Sequence, residues 1–211
     1  MGNVAPAPAP LMAFSLEPLD PIPIVDIRYC RTQPTSIVIP KRLYMTHIDC
    51  SLCTVDGEPL FHWDGRKTAL MDHATSPTVV AHMSRKTHSH INMHKVFLES
   101  RFLAKHQIMR ILVDFPALYH PTITSVVESI DGDRVSFHVS GEWSERSAIL
   151  SMSRSPFETP VVVARIRSHG SAASPFSEYV IDVVPGVDIA AVVLVCIAID
   201  RIASVLRGVL Y

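Results

Sequence analysis

From about residue 36 the chain alternates apolar and polar positions over short runs closed by turn residues, the period of strands that bury one face. Residues 48–55 run into Asp56-Gly57, a tight-turn dipeptide, and residues 58–63 read as the return strand. Residues 126–130 and 135–139 repeat that design around Asp131-Gly132-Asp133. Further strands are expected at 69–74, 78–84, 91–98, 108–114, 148–153, 161–167 and 178–184. About twelve strands at such short spacing favour a sandwich or barrel over any βαβ arrangement.

The pattern changes at the C-terminus. Pro185-Gly186 ends the last strand, and Asp188 opens a segment from Ile189 to Ile199 in which every residue is apolar. Asp200 and Arg201 interrupt it before Ile202, Val205 and Leu206. The run is too short for a membrane span, which needs about 20 residues. It is too uniformly apolar for a surface helix and too long for an ordinary strand, so it predicts a buried helix near 187–206. A strand-rich chain with one such helix implies a mainly β fold: a closed antiparallel β-barrel around a central apolar C-terminal α-helix, since closure also removes exposed sheet edges.

An internal repeat divides the sheet in two. Trp63, Arg66 and Leu70 have the spacing of Trp143, Arg146 and Leu150, 80 residues on. Pro77-Thr78-Val79-Val80-Ala81 is echoed 83 residues on by Pro160-Val161-Val162-Val163-Ala164, which places a three-residue insertion around 153–156. Two copies read as duplicated halves of one sheet and are too few for a solenoid. Ahead of them, Ala5-Pro6-Ala7-Pro8-Ala9-Pro10 marks residues 1–35 as an Ala/Pro-rich, partly disordered leader, leaving residues 36–211 as one domain.

Composition adds limits. The 211 residues are 48% hydrophobic and 18% charged, which fits a packed core. The formal net charge of −1 gives no global field toward nucleic acid, so none is expected as a partner, and any anionic partner must meet a local patch. No basic stretch precedes an apolar one at the N-terminus, so no secretory signal is read, and the four Cys are expected as free thiols in a cytoplasmic protein. Gly2 follows Met1, but Pro6 stands where a myristoylation motif wants Ser or Thr.

Several passages resemble a known family. The stretch Tyr179-Val180-Ile181-Asp182-Val183-Val184-Pro185-Gly186-Val187-Asp188-Ile189, on to Asp200-Arg201-Ile202, is similar to the C-terminal signature of the LURP-one-related proteins. Leu70-Met71-Asp72 with Val80-Ala81-His82-Met83-Ser84-Arg85-Lys86 resembles that family's central strand pair, and Gly141-Glu142-Trp143-Ser144-Glu145-Arg146 the opening of its second half. The likeness covers about 36–206 and implies the tubby C-terminal-like superfamily, with a twelve-stranded barrel threaded by its last helix. It brings no catalytic residues and no cofactor. By analogy with tubby it implies a phosphoinositide or other anionic lipid head group as ligand. The alternative is a protein-interaction or regulatory module without lipid binding.

The chemistry in the residues fits a binding module better than an enzyme. No nucleophile elbow, P-loop or H-E-x-x-H occurs. Cys50 and Cys53 have no second pair at zinc spacing, and strand residues three apart face opposite ways. His88, His90 and His94 share parity and are weak metal candidates, against the commoner reading of solvated imidazoles. Phosphate candidates are the basic groups near strand ends: Lys41 and Arg42, Arg66 and Lys67, Arg85 and Lys86, with Arg165 and Arg167 on one strand face. Each such pair also reads as ordinary solvated charge beside a turn. Arg66 and Arg146, each three residues past a Trp, are expected to stack on those rings. A monomer is expected, cytoplasmic or peripheral at the plasma membrane.

Overall fold

The computed structural model describes residues 17–40, 49–73, 78–85, 92–98, 106–117, 120–128, 134–155, 157–169 and 178–208. The protein is mainly β: one antiparallel sheet and a single C-terminal α-helix. The strands are β1 (Thr35–Ile39), β2 (Cys50–Thr54), β3 (Pro59–Asp64), β4 (Ala69–Asp72), β5 (Val79–Arg85) and β6 (Asn92–Leu98). They continue with β7 (His106–Ala117), β8 (His120–Glu128), β9 (Arg134–Glu142), β10 (Ser147–Ser153), β11 (Val161–Ser168) and β12 (Tyr179–Val183). From β2 to β12 each strand pairs antiparallel with the next, and β1 lies against β12 from Thr35 opposite Val183 to Ile39 opposite Tyr179.

The expected strands at 108–114 and 126–130 both begin earlier and form longer elements. Pro116 falls where the β7–β8 register shifts, between Asp114 and Ala117, an irregular stretch that tolerates a residue without a ladder N–H.

The helix α1 (Ile189–Gly208) supplies what the sheet wraps. From Ile189 to Ile199 no residue is more than 3% exposed, so the segment is enclosed on all sides and its uniform apolarity costs nothing in solvation. Inward strand positions such as Ile37, Leu52, Trp63, Leu70, Met83, Val96, Phe137 and Leu150 complete the core. The expected repeat holds only in part: Leu70 lies opposite Ala81 as Leu150 lies opposite Ala164, but Trp63 is on β3 opposite Leu70, whereas Trp143 lies in the β9–β10 turn and the residue opposite Leu150 is Val139. Among the described residues no helix is long and apolar enough to cross a membrane.

The leader boundary needs correcting. Residues 1–16 lie outside the described residues, but the segment after them is part of the folded body. Ile22, Ile24, Val25 and Tyr29 are buried in the same core as α1. This strap is pinned by Leu19 N–H to Pro185 O at 3.0 Å, Ile22 N–H to Gly186 O at 2.9 Å, and Gly186 N–H to Arg31 O at 2.8 Å. Gly186 has φ +86°, and a Cβ there would run into the Leu19 backbone, so glycine is required twice over. Asp188 completes the junction. Its Oδ1 accepts from the N–H groups of Ala190 and Ala191 as a helix cap, and its Oδ2 from those of Ile24, Val25 and Asp26. Burial raises this carboxyl's pKa, against the pull of those N–H donors.

Candidate functional site

The ends of α1 divide the basic residues into groups. At its N-terminal end, Arg28 and Arg31 come from the strap. Arg28 pairs with Asp26 at 3.0 Å and approaches Asp72 at 3.6 Å, and Arg31 pairs with Glu58 at 3.0 Å. The Tyr29 hydroxyl donates to Asp72 at 3.0 Å beneath a groove of about 310 Å³ that reaches Leu60, Phe61 and Ile189. Cations and carboxylates alternate there.

At the other end the balance differs. The β3–β4 turn places Arg66 and Lys67 outward, both exposed. Asp64 shapes this turn, its Oδ1 accepting from the N–H groups of Arg66 and Lys67, with Lys67 Nζ 3.4 Å from its Oδ2. Those contacts, the Lys67 N–H first, hold the Asp64 carboxyl below its ordinary range. Thr68 ties the turn to β5 through Met83 N–H to Thr68 O at 2.8 Å and Thr68 Oγ1 to Met83 O at 2.6 Å. Arg85 follows two residues later, so the turn and the end of β5 share one rim.

Arg85 is directly opposite His94 on β6, and directly opposed residues project from the same face. His94 is 1% exposed, which puts that face toward α1. From the helix, Arg201 lies with its guanidinium carbon 5.9 Å from the Trp63 ring centre. Burial, then the nearby Arg85, lowers the Arg201 pKa from its usual range. Burial with Arg201 and Arg85 pushes the His94 imidazole down to about 4. Two guanidinium groups therefore act on a neutral imidazole at this side of the sheet, beside the second half of α1.

Arg146 serves structure instead. Its Nη1 is 2.8 Å from Asp200 Oδ1, with both side chains 3% exposed, and Trp143 Nε1 and the Tyr179 hydroxyl also donate to Asp200 at 3.0 and 2.7 Å. The Arg146 guanidinium lies over both the Trp143 and Tyr179 rings, 5.4 and 4.2 Å from their centres. The expected stack on Trp143 is present. The one on Trp63 takes a correction: Arg66 is exposed and the cation over that ring is Arg201, because Trp63 sits on β3, outside its turn, and the turn position that matches Arg146 is Thr68, both at positive φ.

Arg165 and Arg167 do share one face of β11, and both bind Asp182 on β12, at 2.9 and 2.8 Å. Ser36 Oγ donates to the same carboxylate at 2.7 Å. Burial pulls the Asp182 carboxyl up, but hydrogen bonds from Arg167, Ser36 and Arg165 outweigh it and leave its pKa lowered.

Lys41, Arg42 and Lys86 lie outside the described residues, as do His88 and His90. Among the described residues no three His, Cys, Asp or Glu side chains gather as a metal site. Sequence reasoning missed Arg201, hidden by the apolar run before it, although the polar pair Asp200-Arg201 closing that run was a signal. It also missed Arg28 and Arg31, assigned to the leader.

A family model described as LURP-one-related matches residues 35–200. The crystal structure of an Arabidopsis thaliana protein superposes with a TM-score of 0.56 at 20% identity, covering 85% of this chain and 97% of that one, a likeness of fold. No curated protein sequence matches the chain.

Proposed function

We propose, from the premise that this chain belongs to the LURP-one-related family, that it is a non-enzymatic binding module that receives an anionic lipid head group, a phosphoinositide foremost. The observation that carries this reading is the gathering of the Arg66–Lys67 turn, Arg85 and Arg201 at the end of the sheet away from the start of α1. The chain as a whole is nearly neutral, so attraction to an anionic surface must come from such a local group. Arg66 and Lys67 are exposed on a rigid turn, suited to phosphate contact by charge-assisted hydrogen bonds. Arg165 and Arg167 contribute less on this reading, because Asp182 already takes part of their charge.

The same reading takes the sheet as a closed barrel, in line with the pairing of Ile37 with Thr54 and Val38 with Cys53 across β1 and β2. Closure keeps α1 dry and gives the cations a fixed rim. The protein would act as a cytoplasmic monomer, peripheral at the plasma membrane and without a cofactor. Sedimentation with phosphatidylcholine vesicles, with and without a few per cent phosphoinositide, tests this. Binding should require the phosphoinositide and weaken as salt rises. Indifference to phosphoinositide at low salt would sink the proposal.

A protein-interaction role without lipid is the second reading. The observation favouring it is that the exposed large apolar residues among those described, Ile27, Val55, Phe157 and Val161, all lie toward the opposite end, with Phe157 98% exposed.

A further inference from the structure

We infer that Arg85, His94 and Arg201 form a phosphate-monoester site in the mouth of the sheet, beside the Trp63 ring. The inference rests on the head-group reading above and adds where the phosphate sits and what it does to the protein's charge.

His94 motivates it. The side chain is 1% exposed, yet neither ring nitrogen has a hydrogen-bond partner among the described residues. A buried imidazole with both nitrogens unsatisfied is costly, and an apolar residue at this inward position would avoid that cost. Among the described residues, the charged groups that act on it are Arg85 from β5 and Arg201 from α1, while β7 presents Ile111 directly opposite. Both charges are positive, so the ring stays neutral and Arg201 is itself disfavoured by Arg85.

An anion between these groups reverses every one of those signs. It accepts hydrogen bonds from both guanidinium groups, and the imidazole takes up a proton and becomes a third donor. Two guanidinium groups and one imidazolium match the two charges and three terminal oxygens of a phosphate monoester better than a diester, which offers one charge and two such oxygens. Arg201 is held against Trp63, which is 1% exposed, so its donor fork is oriented before the ligand arrives. The bound proton comes from solvent, so binding is linked to proton uptake.

The test is a histidine-selective NMR titration of the intact protein, alone and with inorganic phosphate or soluble inositol trisphosphate, beside calorimetry on wild type, His94→Phe and Arg85→Ala. Either ligand should raise the His94 midpoint from about 4 by a unit or more. His94→Phe should melt no lower than wild type and bind soluble inositol trisphosphate about tenfold more weakly. A His94 midpoint indifferent to saturating ligand, or His94→Phe binding as tightly as wild type, overturns the site. Vesicle sedimentation separates this from the broader reading. Phosphoinositide vesicles held equally by wild type and His94→Phe would leave the head-group reading standing and overturn the mouth site. Soluble phosphate bound without any vesicle binding would support the site and remove the membrane as its source. If neither vesicles nor soluble phosphates bind, both readings fall.

Discussion

Replacing Asp188 with Ala should undo the junction between the strap, the last strand and the helix in one step. The carboxylate accepts five backbone N–H bonds, two at the start of α1 and three from Ile24, Val25 and Asp26, at 2.7 to 3.2 Å. Losing a helix cap costs about 1 kcal/mol. Each strap N–H left without an acceptor costs about 1 kcal/mol or more, the Ile24 and Val25 groups most, since their bonds are buried. The loss is then on the order of 4 kcal/mol, a large part of a typical domain's stability. For a chain of this size it corresponds to a fall in Tm of roughly 8–16 °C. Asp188→Asn keeps one oxygen but turns an N–H pair toward the other set of donors, so it should lose about as much. Thermal melts give the magnitude, and amide exchange at Ile24 and Val25 shows whether the strap has come loose. An Asp188→Ala protein that melts within a degree or two of wild type, with both amides still protected, would refute this account of the junction.

Other outcomes follow from the same contacts. Val195→Asp puts a carboxylate in the middle of the enclosed helix, where Val195 is fully buried, and should leave no soluble, cooperatively melting protein in a denaturation experiment. Asp200→Ala leaves Arg146 charged and buried without its carboxylate and should cost about 3–5 kcal/mol by urea denaturation, a loss an exposed ion pair would never show. His94 has a folded pKa near 4 against an ordinary 6.5, so its protonation favours the unfolded chain: nothing is lost to it above pH 6.5, and stability falls as pH drops toward 4. That loss is on the order of 3 kcal/mol, and stability measured against pH should be flatter in this window for His94→Phe.

Much of this architecture is legible in the sequence because it rests on periodicity. Alternation locates the strands to within a few residues, and the uniform run from Ile189 to Ile199 announces an enclosed helix, since nothing else explains eleven apolar residues in a chain of half-buried strands. The strap is not legible. Its buried Ile22, Ile24, Val25 and Tyr29 follow no strand or helix period among Pro21 and Pro23, and its anchoring by backbone N–H groups to Asp188 and by backbone pairing to Pro185 and Gly186 leaves no pattern of its own. The basic site was legible in parts. Arg66, Lys67 and Arg85 stand out as charges at strand ends, but the pairing of Arg85 with His94 and the approach of Arg201 depend on register and helix rotation. The repeat misleads for a related reason. Two identical Trp spacings suggest two identical stacks, yet Trp63 sits on β3 opposite Leu70 while Trp143 lies in the β9–β10 turn, where Arg146 reaches Asp200.

The location of the binding surface is tested most directly by comparing two charge variants on the same phosphoinositide vesicles at low salt. One is Arg66→Ala/Lys67→Ala/Arg85→Ala, and the other Arg165→Ala/Arg167→Ala, with melts confirming that both fold. Each cation lost near an anionic surface is worth about 1 kcal/mol, so the triple variant should bind on the order of a hundredfold more weakly. The double variant, whose guanidinium groups already share Asp182, should lose tenfold or less. A triple variant that binds like wild type while the double variant releases the vesicles would contradict the account and move the binding surface to the outer face of β11.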